Sequence, residues 1–197
     1  MSILIAYKKD DTIYLGTDTR VILSDTKHNR TCECDYKIQK MENGMLVGIV
    51  NDVPARQVLF AHPEVFTLDK QGKLSHKHIV LNVIPKIIDL LKYNYLLIEN
   101  KDDFVSMSTV IMLAHKDVLY RIDTYFGVHR MTQFDVQGAI GPYSIGVVSR
   151  INESEDINTQ IVQGLDIASK YSIYVSPPYL LVDTKSLKYS LVGGNNR

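Results

Sequence analysis

A chain of 197 residues is long enough for one well-packed domain and short for two, so we expect a single domain over residues 1–197. The 22 basic residues balance the 22 acidic ones, which argues against a nucleic-acid-binding surface and a basic membrane-binding face. The sequence begins without a charged leader and has no apolar run of about 20 residues. This favours a soluble, cytoplasmic protein without nucleic-acid or membrane partners.

The first predicted element is a β-hairpin. Two runs rich in β-branched, aromatic and aliphatic residues, 3–7 and 12–17, are separated by the polar residues 8–11, which have the composition of a turn. Asp18 follows the second strand and Arg20 comes shortly after it, so we expect a carboxylate near the open end of the hairpin. From these residues alone, an ordinary exposed Asp–Arg pair is the favoured interpretation, because such pairs are common.

The two cysteines of the chain are Cys32 and Cys34, with His28 nearby. Structural zinc usually takes four ligands, and no second cysteine pair exists to complete them, so the sequence argues against a zinc site. Alternation along a strand would place both sulfur atoms on one face. We therefore expect two reduced, partly buried cysteines.

A second hairpin is predicted from the alternating residues 36–41 and the apolar run 45–50, which are joined by a turn at residues 43–44. Lys37 lies on its first strand. Taken alone, Lys37 would be a solvent-exposed strand lysine. If it instead faces the core beside Asp18, the carboxylate compensates its charge, and the pair can place an ammonium group next to a nucleophile.

Two helices are predicted next. Asp52 can cap the first helix, which has Pro54 in its first turn and ends before Pro63. The second helix is expected over residues 76–94, because apolar residues recur there at intervals of three and four. Pro85 lies inside this stretch and predicts a kink.

The rest of the chain completes the pattern. The predicted elements are strands at 105–114, 118–125 and 134–140, a helix that starts at residues 141–142, a further helix from about residue 154, and a terminal hairpin formed by 179–182 and 188–192. Strands, helices, strands, helices and strands in one domain fit two antiparallel sheets packed between two helical layers. The predicted fold class is therefore α+β, a four-layer αββα sandwich.

This order and several local motifs resemble a proteasome β-type or HslV-type peptidase subunit, a member of the N-terminal nucleophile hydrolase superfamily. Asp18 lies sixteen residues after Ser2, as the aspartate of the family's Gly-x-Asp-x-Arg-like segment does, and the Lys37-Ile38 step is similar to the family's lysine. Two later segments add to the resemblance: Ala139-Ile140-Gly141-Pro142-Tyr143, a shortened form of the family's helix start, and residues 165–174, similar to the HslV segment before the last strands.

The resemblance implies a mechanism of amide hydrolysis. Once Met1 is removed, Ser2 would supply the nucleophilic hydroxyl group, and its free α-amine would act as the general base. Lys37 would be a cation beside that amine, and Asp18 would orient and neutralise Lys37. A backbone N–H in the Gly48 region would donate to the oxyanion.

The resemblance also implies partners. These are copies of the chain itself in a ring, an AAA+ unfoldase, and a protein or peptide substrate. No cofactor is expected, although Ser169 and Ser172 are candidate ligands for a monovalent cation such as Na+.

Two differences from the family pattern leave a second interpretation open. Serine stands at the first position where the family usually has threonine, and it lacks the methyl group that restricts the rotamer. The family's Ser-Gly-Gly before the helix is missing, and Ser144 is not a clear replacement for its serine. The alternative is a catalytically silent, proteasome-like subunit that acts as a structural or assembly protein.

Overall fold

Two antiparallel sheets of five strands each form the centre of the molecule. The computed structural model describes residues 2–23, 26–30, 32–99, 105–138 and 141–193. Within these ranges the elements follow in the order β1 (Leu4–Lys9), β2 (Thr12–Asp18), β3 (Arg20–Leu23), β4 (Thr26–Asn29), a 3₁₀ turn (Glu33–Asp35), β5 (Ile38–Lys40), β6 (Leu46–Val50), α1 (Val53–Ala61), a second 3₁₀ turn (Pro63–Val65), α2 (His76–His78), a π-helical turn (Ile79–Val83), α3 (Ile84–Tyr93), β7 (Leu97–Glu99), β8 (Val105–Met107), β9 (Val110–His115), β10 (Val118–Ile122), β11 (Val128–Met131), β12 (Phe134–Gln137), α4 (Gly141–Val148), α5 (Ile157–Tyr171), β13 (Tyr179–Asp183) and β14 (Ser190–Val192).

The strand order brings distant parts of the chain together at the end of the N-terminal hairpin. One sheet has the order β12-β1-β2-β13-β14 and the other β11-β10-β9-β6-β5, while β3-β4 and β7-β8 form two-stranded ribbons. In the hairpin, Leu4 pairs with Thr17, so the same register continues to Ile3 and Asp18 at the open end. Tyr179 of β13 pairs with Asp18 from the other side.

Alternating side chains divide the apolar residues among three layers. On β1, Leu4 and Ala6 face the second sheet, whereas Ile5 and Tyr7 belong to the layer under α4 and α5. A third apolar layer lies between the second sheet and helices α1 and α3, with the two sheets enclosing the layer between them. This arrangement confirms the predicted αββα sandwich.

The predicted helix at residues 76–94 is present but is not uniformly α-helical. Its first turns are α2 and a π-helical turn, and α3 then begins at Ile84 with Pro85 in its first turn. Proline is tolerated at that position because the first turn of a helix has no intrahelical partner for its N–H groups. A π-helical turn ends at Val83, two residues before the proline, and the kink expected at Pro85 stays a prediction.

Several strands differ from the prediction. Residues 20–29, where no strand is predicted, include the ribbon β3-β4. The strand expected over 118–125 ends at Ile122 and is followed by β11. The predicted helix from about residue 154 begins at Ile157, where Asp156 caps it by accepting from the Thr159 N–H. Residues Met1, Ala139 and Ile140, on which parts of the family resemblance rest, lie outside the described residues.

Among the described residues, no helix combines the length and the apolar character that crossing a bilayer requires.

Candidate active site

A buried carboxylate at the end of β2 organises the site. Asp18 is completely inaccessible to solvent. One of its oxygens, Oδ1, accepts from the Ile3 N–H at 3.1 Å, while Oδ2 accepts from the Arg20 N–H at 3.1 Å and from Lys37 Nζ at 2.6 Å. A buried carboxylate is stable only when its charge is compensated and its lone pairs are occupied, and these three donors do both. Asp18 therefore ties the start of the chain to Lys37.

Lys37 reaches Asp18 from the segment just before β5. Its side chain is 2% exposed, and Nζ also donates to the Arg20 carbonyl oxygen at 2.9 Å. The Lys37 backbone is held as well, because its carbonyl accepts from the Ile49 N–H at 2.8 Å. The structure thus brings Asp18 and Lys37 together in the core, and excludes both the exposed Asp–Arg pair and the exposed strand lysine.

Burial sets the protonation behaviour of the site. Removal from water lowers the pKa of Lys37, and the charge and hydrogen bond of Asp18 oppose this shift without cancelling it. Arg56, on the first turn of α1, is 5% exposed and adds a second positive charge that also lowers the pKa of Lys37. Burial likewise lowers the pKa of Arg56, against the attraction of Asp18. Arg56 was not singled out from the sequence, because its position on the buried face of α1 gives it no distinctive motif.

Ser2 directly precedes the backbone group that is bonded to this cluster. It is 5% exposed and directly precedes Ile3, whose N–H is bonded to Asp18 and whose carbonyl accepts from Thr17 Oγ1 at 2.6 Å. These two bonds fix the chain on both sides of the Ile3 Cα atom. Asp18, which accepts from Lys37, therefore also helps to fix the position of Ser2.

Gly138 controls the space beside Ser2. Its φ is +105°, and a Cβ atom built on it would lie 1.9 Å from the Ser2 carbonyl oxygen. Only glycine fits such a conformation at such a close approach.

We expect Gly138→Ala to displace Ser2 and to lower the free energy of unfolding by about 1–3 kcal/mol, because strain and overpacking act together. Urea denaturation measures the loss. Gly146→Ala is the matched control, since a Cβ atom there would meet nothing within 4 Å. Equal stabilities of the two variants would contradict the close approach.

Gly48, the residue expected near the oxyanion, is part of the sheet. It lies opposite Met112 on β9. Since the neighbouring Ile49 N–H donates to the Lys37 carbonyl, alternation along the strand directs the N–H of Gly48 toward β9. A Cβ atom on Gly48 would lie 2.5 Å from Cδ2 of Leu4, so this glycine makes room for Leu4 between the sheets.

Asn51 is the residue that sequence reasoning missed at this end of β6. Its φ is +89°, a left-handed value that non-glycine residues rarely adopt and asparagine tolerates comparatively well. Alternation along the strand points its N–H to the same edge of β6 as that of Ile49, the edge on which Lys37 lies. The only sequence signal is a turn-forming Asn-Asp pair directly after an apolar strand.

The three serines considered for supporting roles are engaged within the fold. Ser144 is fully buried on α4, and its Oγ donates to the Gly164 carbonyl of α5 at 2.7 Å. Ser169 Oγ donates to the Asp166 carbonyl at 2.8 Å, and Ser172 Oγ accepts from the Tyr174 N–H at 3.1 Å. Ser169 and Ser172 as ligands of a monovalent cation remain a prediction.

The cysteines differ from expectation in position and exposure. Cys32 and Cys34 are free and exposed, and they lie at a 3₁₀ turn and not on a strand. The expectation of partly buried cysteines is therefore wrong. Within the described ranges, no group of three or more His, Cys, Asp or Glu side chains is arranged to hold a metal ion.

The arrangement combines three chemically different groups near the start of the chain. A hydroxyl residue lies at the start of the first strand, beside a carboxylate with an ammonium group bonded to it. An ammonium group held in this way can favour the deprotonated form of a neighbouring amine or hydroxyl group.

Comparison with known proteins gives the fold and no sequence relative. No known family profile matches the chain. No curated protein sequence matches it either.

Solved structures do match, at low sequence identity. BPH from Thiobacillus denitrificans is 19% identical, with a TM-score of 0.72, and the match covers 92% of this chain and 96% of that one. Anbu from Hyphomicrobium sp. strain MC1 is 12% identical, with a TM-score of 0.71 over 99% of this chain and 89% of its own. The eukaryotic HslV of Trypanosoma brucei is 13% identical, with a TM-score of 0.62 over 92% of this chain and 98% of its own. The chain therefore has the fold that is shared by HslV and Anbu.

Proposed function

We propose that the chain is a peptidase subunit in which Ser2, exposed as the N-terminal residue by removal of Met1, is the nucleophile. The observation that carries this proposal is the buried Asp18–Lys37 pair bonded to the backbone next to Ser2. Keeping two charges in a core is costly, and in other proteins buried ion pairs have often been replaced by apolar residues without loss of stability. A catalytic role explains why an ionic pair stands at this position.

The proposed reaction proceeds through an acyl-enzyme ester. The α-amine of Ser2 takes the hydroxyl proton as Oγ bonds to the scissile carbonyl carbon, and then gives that proton to the leaving amine as the C–N bond breaks. Water, activated by the same amine, then hydrolyses the ester and restores the hydroxyl group. The Lys37 ammonium favours the unprotonated amine, and Asp18 holds Lys37 in position.

We assign the oxyanion donor to the Asn51 N–H in place of Gly48. The assignment rests on the strand register, which directs Asn51 to the Lys37 edge of β6 and Gly48 to β9. In other acyl-transfer enzymes one such donor contributes about 3 kcal/mol to transition-state stabilisation.

The substrates and partners follow from the same proposal. Peptides or unfolded proteins would be cleaved by copies of this chain assembled into a ring, served by an AAA+ unfoldase in the cytoplasm. The likeness of fold to HslV and Anbu supports the ring.

The rate should depend on pH with two limbs. At low pH the rate falls because the α-amine becomes protonated, and the Lys37 charge should place this limb below about pH 8, the ordinary value for an α-amine. At high pH it falls again as Lys37 loses its proton, and because burial lowers the pKa of Lys37, this limb should lie below about pH 10.4, the ordinary lysine value. A profile of kcat/KM against pH on a fluorogenic peptide measures both limbs. A rate that stays level beyond pH 10.4 would argue against Lys37 as the required cation.

The requirement for a free amine gives the direct test of the proposed function. We expect a chain with one lysine inserted between Met1 and Ser2 to be inactive, because Ser2 then has no α-amine, while the unmodified chain with Met1 removed hydrolyses peptides. Intact mass identifies the first residue of each preparation, and circular dichroism verifies that both are folded. Equal hydrolysis by both preparations would exclude the N-terminal mechanism.

A structural or assembly role is the second candidate. Ser144 is the residue that could replace the family's missing serine. Its hydroxyl group donates to the Gly164 carbonyl in the contact between α4 and α5, and this hydrogen bond favours the assembly role. If the chain with a free Ser2 forms rings but cleaves no peptide, the assembly role is correct.

A further inference from the structure

Cys32 and Cys34 form a pair that the proposed peptidase mechanism does not use. Their sulfur atoms lie 2.8 Å apart, and both side chains are exposed to solvent. This separation is longer than the about 2.05 Å of a disulfide bond, so the two thiols are unbonded neighbours.

The backbone of the 3₁₀ turn holds the two sulfur atoms together. The Asp35 N–H donates to the Cys32 carbonyl at 2.9 Å, and the Tyr36 N–H donates to the Glu33 carbonyl at 3.2 Å. Gln39 Nε2 adds a bond of 3.2 Å to the Cys34 carbonyl. The pair is therefore preorganised by three hydrogen bonds that do not involve the sulfur atoms.

We propose that Cys32 and Cys34 are a reversible modification site, a dithiol that closes to an intramolecular disulfide when it meets a low-molecular-weight disulfide. The thiolate of Cys32 attacks one sulfur atom of the oxidant and releases one thiolate. Cys34 then loses its proton, displaces the second thiolate and forms the Cys32–Cys34 bond. Two electrons and two protons leave the protein, and the oxidant is reduced to two thiols.

The order of attack follows from the hydrogen bond between the sulfur atoms. This bond is the largest of the effects that raise the pKa of Cys34, which favours Cys32 as the first thiol to attack. The exposure of both residues gives the oxidant free access.

The position of the pair gives its oxidation a means to affect the active site. Cys34 and Asp35 line a cavity of about 320 Å³ together with Arg56 of α1. Arg56 is the buried cation whose charge acts on Lys37. Closing the disulfide stiffens the wall of a cleft that adjoins the catalytic charges.

The test uses the full chain and oxidised glutathione, with intact mass as the readout. We expect the wild-type protein to lose the mass of two hydrogen atoms without gaining glutathione, and dithiothreitol to reverse the change. Cys34→Ser should instead gain one glutathione, because no second thiol resolves the mixed disulfide. Cys32→Ser, which keeps only the thiol of Cys34, should also gain one glutathione, but more slowly. Wild-type protein that accumulates glutathione, or that stays reduced where Cys34→Ser is modified, would overturn the proposal. This readout is independent of peptide hydrolysis, so failure of the proposed function would not affect it.

Discussion

Ser2→Ala is expected to lower peptide hydrolysis by at least about 10³-fold, because the variant lacks the hydroxyl group that forms the acyl-enzyme ester. The variant keeps the α-amine, the backbone bond from Ile3 to Asp18 and the Asp18–Lys37 pair. Its stability should therefore remain within about 0.5 kcal/mol of the parent chain. Initial rates on a fluorogenic peptide and urea denaturation measure the two quantities.

Two further variants make this result specific. Ser149→Ala removes an exposed hydroxyl group on the outer helical layer and should leave the rate unchanged. Ser2→Thr should retain activity, since it keeps the hydroxyl group and adds a methyl group that restricts the rotamer. If Ser2→Ala cleaves peptides as fast as Ser149→Ala does, Ser2 is not the nucleophile.

The Asp18–Lys37 pair should show strong coupling in stability. Asp18→Asn leaves a buried ammonium group without its counter-ion, so we expect a loss of about 3–5 kcal/mol in the free energy of unfolding. Lys37→Met should cost less, about 1–3 kcal/mol, because the Asp18 carboxylate still accepts from the Ile3 and Arg20 N–H groups. Both variants should lose peptide hydrolysis.

The double variant Asp18→Asn with Lys37→Met separates stability from catalysis. It leaves no buried charge at these two positions, so its loss should be smaller than the sum of the two single losses. It should nevertheless stay inactive. Losses that add to within about 0.5 kcal/mol would show that the two residues do not interact as the structure indicates.

Local sequence signals predicted the architecture well where periodicity was strong. The alternation on residues 3–7 and 12–17 and the apolar stripe at residues 76–94 correspond to β1, β2 and the helix ending at Tyr93. Strand alternation also explains why β1 faces two different layers. The pairing of these strands into two stacked sheets came from element order and family resemblance.

Hydrophobic periodicity did not predict the turn and the ribbon that short segments form between residues 20 and 35. The 3₁₀ turn at Glu33–Asp35 changed the environment of both cysteines, because its geometry replaces the assumed strand. The ribbon β3-β4 pairs an apolar run, residues 21–23, with a polar strand, and neither strand alternates. Tertiary pairing decides such segments, since their intrinsic preferences are weak.

The sequence predicted the charged residues of the candidate site, but it did not predict which backbone N–H group faces them. Asp18 and Lys37 followed from spacing and resemblance, and the structure brings them to 2.6 Å. The choice between Gly48 and Asn51 depends on which edge of β6 each N–H faces, and a register of that kind is fixed only when the strands pair. The burial of Arg56 could not be predicted, because no sequence pattern distinguishes a buried arginine from an exposed one.

A fluorophosphonate, which reacts with activated serine hydroxyl groups, tests the central claim most directly when its site of attachment is mapped by peptide mass spectrometry. The account predicts one label per chain, on the N-terminal peptide that begins at Ser2, and no label in Lys37→Met. A label on another serine, or equal labelling when Met1 is retained, would contradict it.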